Sequence, residues 1–253
     1  MKQNTLNRSL IQTILKRAIH HITENPEREM RNLIDLGKMF SKGQFHKELF
    51  EAAGIELEKK NSLYYQIASS VIQKTNNEYL LSFGMNLGYN SLTYGAQQIR
   101  DYEEAAGFNI PWSIFITLSE DGKLSVQQLD HFITQSEETG IYTSMIRTDG
   151  GFDRLKALCR VFRRHEDCAF ILFVEPEDLL AADIFETLRQ LKNILVCLHI
   201  NAGGQSAVMH ATEELRRHKI MSAAYYRAGH TELVDIKKAA ETAAKLGYEL
   251  LFT

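Results

Sequence analysis

The second half of the chain alternates short apolar segments with amphipathic ones, and this repeat limits the possible folds more than any other feature. Six segments have the composition of strands. Their starts lie roughly 25 to 29 residues apart, about the length of one strand, one crossover helix and two loops. The middle segments, AFILFV and NILVCLHI, are continuously apolar, as is typical of parallel strands covered on both faces. The six predicted strands are residues 112–118, 141–147, 169–175, 194–200, 220–226 and 248–253.

Helix start and stop signals lie between these segments. Ser125 and Gln128 have the spacing of a capping box, and Gly140 is placed to end the helix that they start. Thr231 and Gly247 bracket the last helix in the same way. Because parallel strands joined by a helix wind right-handed, six such units are predicted to curl into a six-stranded (β/α)6 partial TIM barrel.

Residues 1–107 have a helical pattern instead. Apolar residues recur four apart in the first of these segments, and Asn25-Pro26 then supplies a cap followed by a proline at the first helical position. Gly54 is expected to stop the third helix. The predicted helices are residues 5–24, 26–43, 45–53 and 58–74. The sequence lacks a Ser/Gly-rich linker, so it predicts an α/β protein whose all-helical N-terminal cap, residues 1–107, packs on a partial barrel, residues 108–253.

A glycine-rich stretch, FGMNLGYNSLTYG, connects these helices to the last helical segment before the barrel. Its glycines, Gly84, Gly88 and Gly95, lie among aromatic residues, so the stretch is predicted to turn tightly while it stays partly buried. Two interpretations remain open: a packed connector, and a lid or docking surface over the barrel.

Charge and composition narrow the class of protein. The net charge of -3 argues against a basic nucleic-acid surface, and no apolar run reaches membrane-spanning length. The first residues, MKQNTLNRSL, lack the apolar core of a secretory signal. These observations predict a cytoplasmic protein without nucleic-acid or membrane partners. Cys159, Cys168 and Cys197 fit neither a zinc nor an iron–sulfur spacing and are predicted to be buried and reduced.

Ligands of parallel barrels bind at the carboxyl ends of the strands, so the residues there are candidate site residues. Two of the loops, residues 148–151 and 202–206, are glycine-rich and precede helices, where backbone N–H groups can bind a carboxylate or phosphate. Tight strand-to-helix turns need glycine in any case, so a structural role fits equally. The candidate ligand-binding residues are Arg147, Thr148, Asp149, Gly150, Gly151, Asn201, Gly203, Gly204 and His230.

Four strand-end residues could instead carry acid–base chemistry. Asp149, Glu175, His199 and Arg227 follow four different strands and could serve a lyase, isomerase or hydrolase that acts on a small anionic substrate. Asp149, Glu175, His199 and His230 also follow four strands, as the metal ligands of barrel hydrolases do, but no H-x-H or H-E-x-x-H pairing supports a metal site, and His199 lies in an apolar strand as core histidines do. No metal site is therefore predicted.

Several segments resemble the radical S-adenosylmethionine (radical SAM) enzymes. The similarity runs through PWSIFITL, KLSVQQLDHFITQSEETGIY and CRVFRRHEDCAFILF to ELRRHKI and the final KLGYELLFT, and it covers about 145 residues. The helical lead-in with FNIPW resembles that of some bacterial members. The resemblance implies a partial barrel of the radical SAM type, in agreement with the repeat.

The residues that define radical SAM chemistry are missing from this chain. The family holds a four-iron cluster with three cysteines, spaced C-x3-C-x2-C, in the loop after the first strand, and that loop reads SEDGKLSVQQ here. In place of the family's Gly-Gly-Glu motif stand residues 147–151, where only Asp149 could imitate the carboxylate and the order is wrong.

The resemblance and its gaps imply a pseudoenzyme, a non-catalytic binding scaffold that needs no cofactor and holds no 4Fe-4S cluster. Residual S-adenosylmethionine binding at the glycine-rich loops stays open. The implied partners are a catalytically complete radical SAM enzyme or its substrate peptide, or a second copy of the chain.

Overall fold

Six parallel strands form one curled half-barrel sheet in the part of the chain that the structure describes. The structure is a computed structural model, and it describes residues 2–40, 44–59, 62–119, 124–148, 151–181, 184–201, 204–227 and 233–253. The strands lie in sequence order, and every neighbouring pair is parallel. The predicted α/β class and six-stranded parallel half-barrel are confirmed. The strands are β1 (Ser113–Leu118), β2 (Thr143–Thr148), β3 (Ala169–Val174), β4 (Ile194–His199), β5 (Ser222–Tyr225) and β6 (Leu251–Phe252).

Crossover helices connect the strands as the repeat predicts. Between β3 and β4 the connection is two short helices rather than one. The capping box of the first crossover helix is present: Gln128 N donates to Ser125 Oγ (3.1 Å) and Ser125 N donates to Gln128 Oε1 (2.9 Å). Gly140 ends that helix with a φ of 98°, in the left-handed region that favours glycine. The helices are α7 (Val126–Thr139), α8 (Gly151–Arg164), α9 (Pro176–Ala181), α10 (Phe185–Gln190), α11 (Gln205–Arg217) and α12 (Leu233–Lys245).

The described residues before β1 are helical. The expected stop at Gly54 is wrong, because α3 continues through it to Glu58. A Cβ on Gly54 would lie 2.8 Å from Lys38 Nζ of α2, the far end of a flexible side chain that can move aside, so Gly54 neither ends the helix nor is required by a close backbone contact. The helices are α1 (Lys2–His21), α2 (Pro26–Phe40), α3 (Gln44–Glu58), α4 (Leu63–Lys74), α5 (Asn77–Gly84), a π-helix (Met85–Gly95) and α6 (Ala96–Ala106). No helix in the described ranges is both long and apolar enough to span a membrane.

The glycine-rich stretch does not turn tightly, so that prediction is wrong. It forms the π-helix, and Gly84 and Gly95 at its ends have ordinary right-handed helical angles. A Cβ on Gly95 would lie 2.2 Å from the carbonyl oxygen of Gly140 and 2.8 Å from Cδ2 of Tyr142. Glycine is needed there because the helix touches the turn before β2, and not because the chain changes direction.

The π-helix packs against the amino ends of the strands. Asn86 Nδ2 donates to the carbonyl oxygens of Glu166 (2.7 Å) and Cys168 (2.8 Å), just before and beside the start of β3. Thr143 Oγ1 of β2 donates to Ser91 Oγ at 2.9 Å. The amino ends are opposite the edge where ligands bind in such sheets, so the contacts favour the packed connector over the lid.

The two faces of the sheet carry different side chains because successive strand residues alternate between them. On the convex face, the rings of Phe170 and Phe162 of α8 lie 4.4 Å apart in the buried core. On the concave face, Phe173 contacts the rings of three aromatic residues at 5.2 to 5.7 Å. These four residues, Phe115, Phe173, Tyr225 and Phe252, are called the aromatic layer below.

Candidate functional site

Three polar side chains meet at the carboxyl edge of the sheet. Glu175 directly follows β3, His199 is the last residue of β4, and Tyr225 is the last residue of β5. His199 Nδ1 lies 2.9 Å and 2.8 Å from the two carboxylate oxygens of Glu175. The Tyr225 hydroxyl donates to Glu175 Oε1 at 3.1 Å, and its ring stacks on the imidazole with centroids 4.4 Å apart. These three residues form the polar cluster.

The geometry of the cluster determines how His199 can act. The carboxylate of Glu175 only accepts hydrogen bonds when ionised, so Nδ1 of His199 carries the proton that it receives. The other ring nitrogen, Nε2, is buried and has no hydrogen-bond partner among the described residues. Only 6% of His199 is exposed, and buried polar atoms are nearly always paired in native proteins. The Nε2 atom is therefore the natural contact for a ligand or substrate.

The electrostatics of the cluster keep Glu175 ionised. Burial acts to raise the pKa of its carboxyl group, but the hydrogen bond and attraction of His199, the Tyr225 hydroxyl and the charge of Arg227 outweigh it, and the pKa is lowered. Burial and the neighbouring Glu175 carboxylate raise the pKa of Tyr225, so this residue stays a neutral phenol that donates its proton. A carboxylate, a phenol and an imidazole with one nitrogen that has no partner among the described residues are thus fixed together.

Two arginines belong to the surroundings of the polar cluster. Arg147, near the end of β2, acts electrostatically on Tyr225, and Arg227 acts on both Glu175 and Tyr225. The loops after β4 and β5 are tied by reciprocal hydrogen bonds, from Asn201 Nδ2 to the Arg227 carbonyl (3.3 Å) and from Arg227 N to Asn201 Oδ1 (3.2 Å). These contacts bring positive charge to the same edge as the unpaired histidine nitrogen.

The structure describes only some of the remaining candidate residues. Thr148 is buried at the end of β2. Gly151 begins α8 with a φ of 60°, in the left-handed region that favours glycine, whereas Gly204 caps α11 with an ordinary φ of -78°. The other members of the predicted set lie outside the described residues: Asp149, Gly150, Gly203 and His230. Of the predicted acid–base residues, the structure therefore brings Glu175 and His199 into contact, with Arg227 near them.

Sequence reasoning missed Tyr225 as a site residue. It was assigned to the fifth strand, but its role depends on the register that pairs it with His199. An aromatic residue with a hydroxyl near the carboxyl end of a predicted strand was the available signal. It becomes informative only when the register of neighbouring strands is known, because the register decides which face the ring occupies.

The cysteines are not arranged to hold a cluster. All three have free thiols and are buried, on α8, just before β3 and inside β4. Burial raises the pKa of Cys159 to about 12, and it also raises the pKa values of Cys168 and Cys197. Iron–sulfur clusters bind thiolates, so these thiols do not fit the group. In the ranges described, no three His, Cys, Asp or Glu side chains form a group that could hold a metal ion.

No family model, curated protein or solved structure matches this chain.

Proposed function

We propose that this protein is a radical-SAM-like pseudoenzyme, a cluster-free scaffold that binds a small anionic ligand at the carboxyl edge of its half-barrel. In this proposal the barrel is of the radical SAM type and residues 1–107 form its helical cap. One observation carries the ligand site: the buried Nε2 of His199 has no partner among the described residues. Arg147 and Arg227 supply the positive charge near it that a carboxylate or phosphate needs, and Nε2, whose ring carries its proton on Nδ1, accepts a hydrogen bond from a hydroxyl or amino group of the ligand.

The cluster-free part of the proposal is supported by the cysteines. The loop after β1 contains none, and the three thiols elsewhere are buried and protonated. Protein purified without oxygen should be colourless and contain far less than one iron per chain. A brown protein with about four irons and matching sulfide per chain would contradict the proposal, because a cluster of that size needs cysteine ligands.

The ligand site is tested by calorimetric titration with inorganic phosphate and, separately, with S-adenosylmethionine. We expect at least one of them to bind the wild type, and to bind a His199→Gln variant at least tenfold more weakly. The matched control is His210→Gln, since His210 lies on α11 with 63% of its side chain exposed. Equal binding by both variants, or no binding of either probe to the wild type, would contradict the proposed site.

The scaffold role predicts a partner. Tagged protein recovered from the native organism should co-purify reproducibly with a radical SAM enzyme or with that enzyme's substrate peptide, identified by mass spectrometry. A homo-oligomer is the other expected arrangement, and light scattering on the eluted protein would show it. A monomer that elutes without either would count against the scaffold role.

A second function, acid–base catalysis, is favoured by the contact between Glu175 and His199. A carboxylate on Nδ1 fixes the tautomer that leaves Nε2 as a base, and it stabilises the imidazolium that forms when Nε2 takes a proton. Arg227 would bind the substrate carboxylate in a lyase or isomerase. In this reading His199 Nε2 removes a proton from carbon next to that carboxylate or to a neighbouring carbonyl.

Proton removal can be detected before the substrate is known. Small 2-oxo and 3-hydroxy acids are incubated with the protein in D2O, and loss of their C–H signals is followed by NMR. Exchange that requires the wild type and His210→Gln, and that falls at least a hundredfold in His199→Gln, would favour catalysis. Exchange at the same rate in His199→Gln would contradict it.

A further inference from the structure

A cavity lies on the concave side of the sheet, near the amino ends of the strands. Its volume is about 300 Å³, and it lies between strands β3 to β6 and the helices α4, α5 and the π-helix. The lining is mostly apolar. Its apolar walls include the side chains of Ile171, Leu195, Phe83, Leu87, Leu250 and Phe252.

The cavity is separate from the polar cluster, although both use the same face of the sheet. Ile171 precedes Glu175 by four residues along β3, and Leu195 precedes His199 by four residues along β4. Four residues of strand span about 13 Å and bring side chains back to the same face. Phe252 lines the cavity and also contacts Phe173 at 5.7 Å, so the aromatic layer lies between the two sites.

Each charged group at the edge of the cavity already has a partner within the chain. Lys74 of α4 forms an ion pair with Glu249 and donates to the carbonyl oxygen of Gly247 at 3.0 Å. Ser70 donates to the same Glu249 carboxylate at 2.5 Å. Arg216, on the opposite side, donates to the carbonyl oxygen of Leu246. A ligand with its own charge would have to displace one of these partners, whereas a neutral ligand would not.

We propose that this cavity binds a neutral, mainly apolar molecule of about two fused aromatic rings. Ligand pockets in proteins begin at about 300 Å³ and combine apolar walls with a few polar groups, as this one does. An apolar cavity of about 150 Å³ holds one benzene ring, so twice that volume suits a two-ring molecule. The ligand binds by contact with Phe83, Leu87, Ile171 and Leu195, and the Lys74–Glu249 pair stays intact beside it.

Naphthalene is the probe that tests the proposal, with ligand-observed NMR and thermal melting as readouts. We expect one molecule to bind per chain and to raise the melting temperature. Ile171→Trp should fill the cavity and weaken naphthalene binding at least tenfold. Its matched control is Met145→Trp, because Met145 is the β2 register partner of Ile171 on the same face but does not line the cavity.

A second cavity-filling variant and a charged probe complete the test. If Ile171→Trp fails to fold, Leu87→Trp fills the cavity from the π-helix side and should have the same effect. The anion 2-naphthoate should bind at least tenfold more weakly than naphthalene, because its carboxylate loses water on entering an apolar cavity where Lys74 is already paired with Glu249 and Arg216 with the Leu246 carbonyl oxygen. No binding of naphthalene to the wild type, unchanged binding in a folded cavity-filling variant, or tighter binding of 2-naphthoate would overturn the proposal. None of these outcomes bears on the phosphate titration of the polar cluster.

Discussion

Replacing His165 by glutamine should destabilise the protein in a pH-dependent way. His165 is 8% exposed at the end of α8, where Nδ1 donates to Glu137 (2.8 Å) and Nε2 to Asp130 (3.2 Å), both on α7. Hydrogen bonds to charged groups contribute about 1.5–3 kcal/mol each. The Glu137 and Asp130 side chains are 25% and 19% exposed and can regain water, so the expected loss at low pH is about 3 kcal/mol rather than the full sum.

The sign of the pH dependence follows from the surroundings of His165. The hydrogen bond with Glu137 raises its pKa most; burial lowers it, and the attraction of Glu137 and Asp130 raises it further, so the pKa is raised on folding. The other nearby groups are Arg164, which pairs with Asp130 at 2.9 Å, and the Cys168 thiol, which donates to Glu137. A raised pKa means that the stabilisation is complete below the unfolded value, about 6.5, and is lost as pH rises through the folded value.

Urea unfolding followed by circular dichroism measures this effect in the wild type and in His165→Gln. We expect the difference in unfolding free energy to be about 3 kcal/mol near pH 6 and to shrink steadily toward pH 9. His210→Gln, at an exposed position, is the control and should change the unfolding free energy by less than about 0.5 kcal/mol. A difference between wild type and His165→Gln that stays constant over this range would refute the reasoning, since it would mean that the protonated imidazole is not what joins α7 to α8.

The close contact of Gly95 and the helix cap at Ser125 give two further predictions, each measured by urea unfolding. Gly95→Ala should cost about 3 kcal/mol because its Cβ would lie 2.2 Å from the Gly140 carbonyl oxygen, whereas Gly88→Ala, with nothing within 4 Å, should stabilise by about 0.5–1 kcal/mol. Equal effects of the two would contradict the close contact. Ser125→Ala should cost about 1 kcal/mol by removing the cap that pairs with Gln128, and Ser125→Asp should retain most of the stability; a neutral Ser125→Ala would show that the cap is dispensable.

The sheet could be predicted from the sequence because its signal is periodic and local. Apolar runs at a spacing of one strand–helix unit locate each strand, and β3 and β4 begin where the pattern places them, at Ala169 and Ile194. The predicted ends of the strand at the edge of the sheet are less accurate. The predicted strand 248–253 is paired only over Leu251–Phe252, because a strand at the edge of a sheet is limited by the length of its single neighbour, and β5 is itself only Ser222–Tyr225.

The π-helix could not be predicted because its cause is a tertiary contact. Read locally, the three glycines of FGMNLGYNSLTYG indicate a turn, since glycine lowers helix propensity and permits positive φ. In the structure glycine is required at position 95 because the carbonyl oxygen of Gly140, 45 positions further along the chain, leaves no room for a Cβ. A single sequence contains no signal that connects those two positions, so the same residues fit two opposite backbone predictions.

The candidate site shows the same division between local and distant information. Glu175 and His199 could be named because they follow apolar strands, and parallel strands end at a common edge. The contact between them, and the stacking of Tyr225, depend on the registers of β3, β4 and β5. Shifting β4 by one residue would move His199 to the convex face under the helices and place Leu198 on the concave face. The polar cluster and the apolar cavity below the aromatic layer would then be lost together, because Leu195 lines the cavity from the same face of the same strand. A variant that loses only one of the two sites therefore acts on that site's own side chains, and loss of both sites in a variant that still folds indicates a change in strand register.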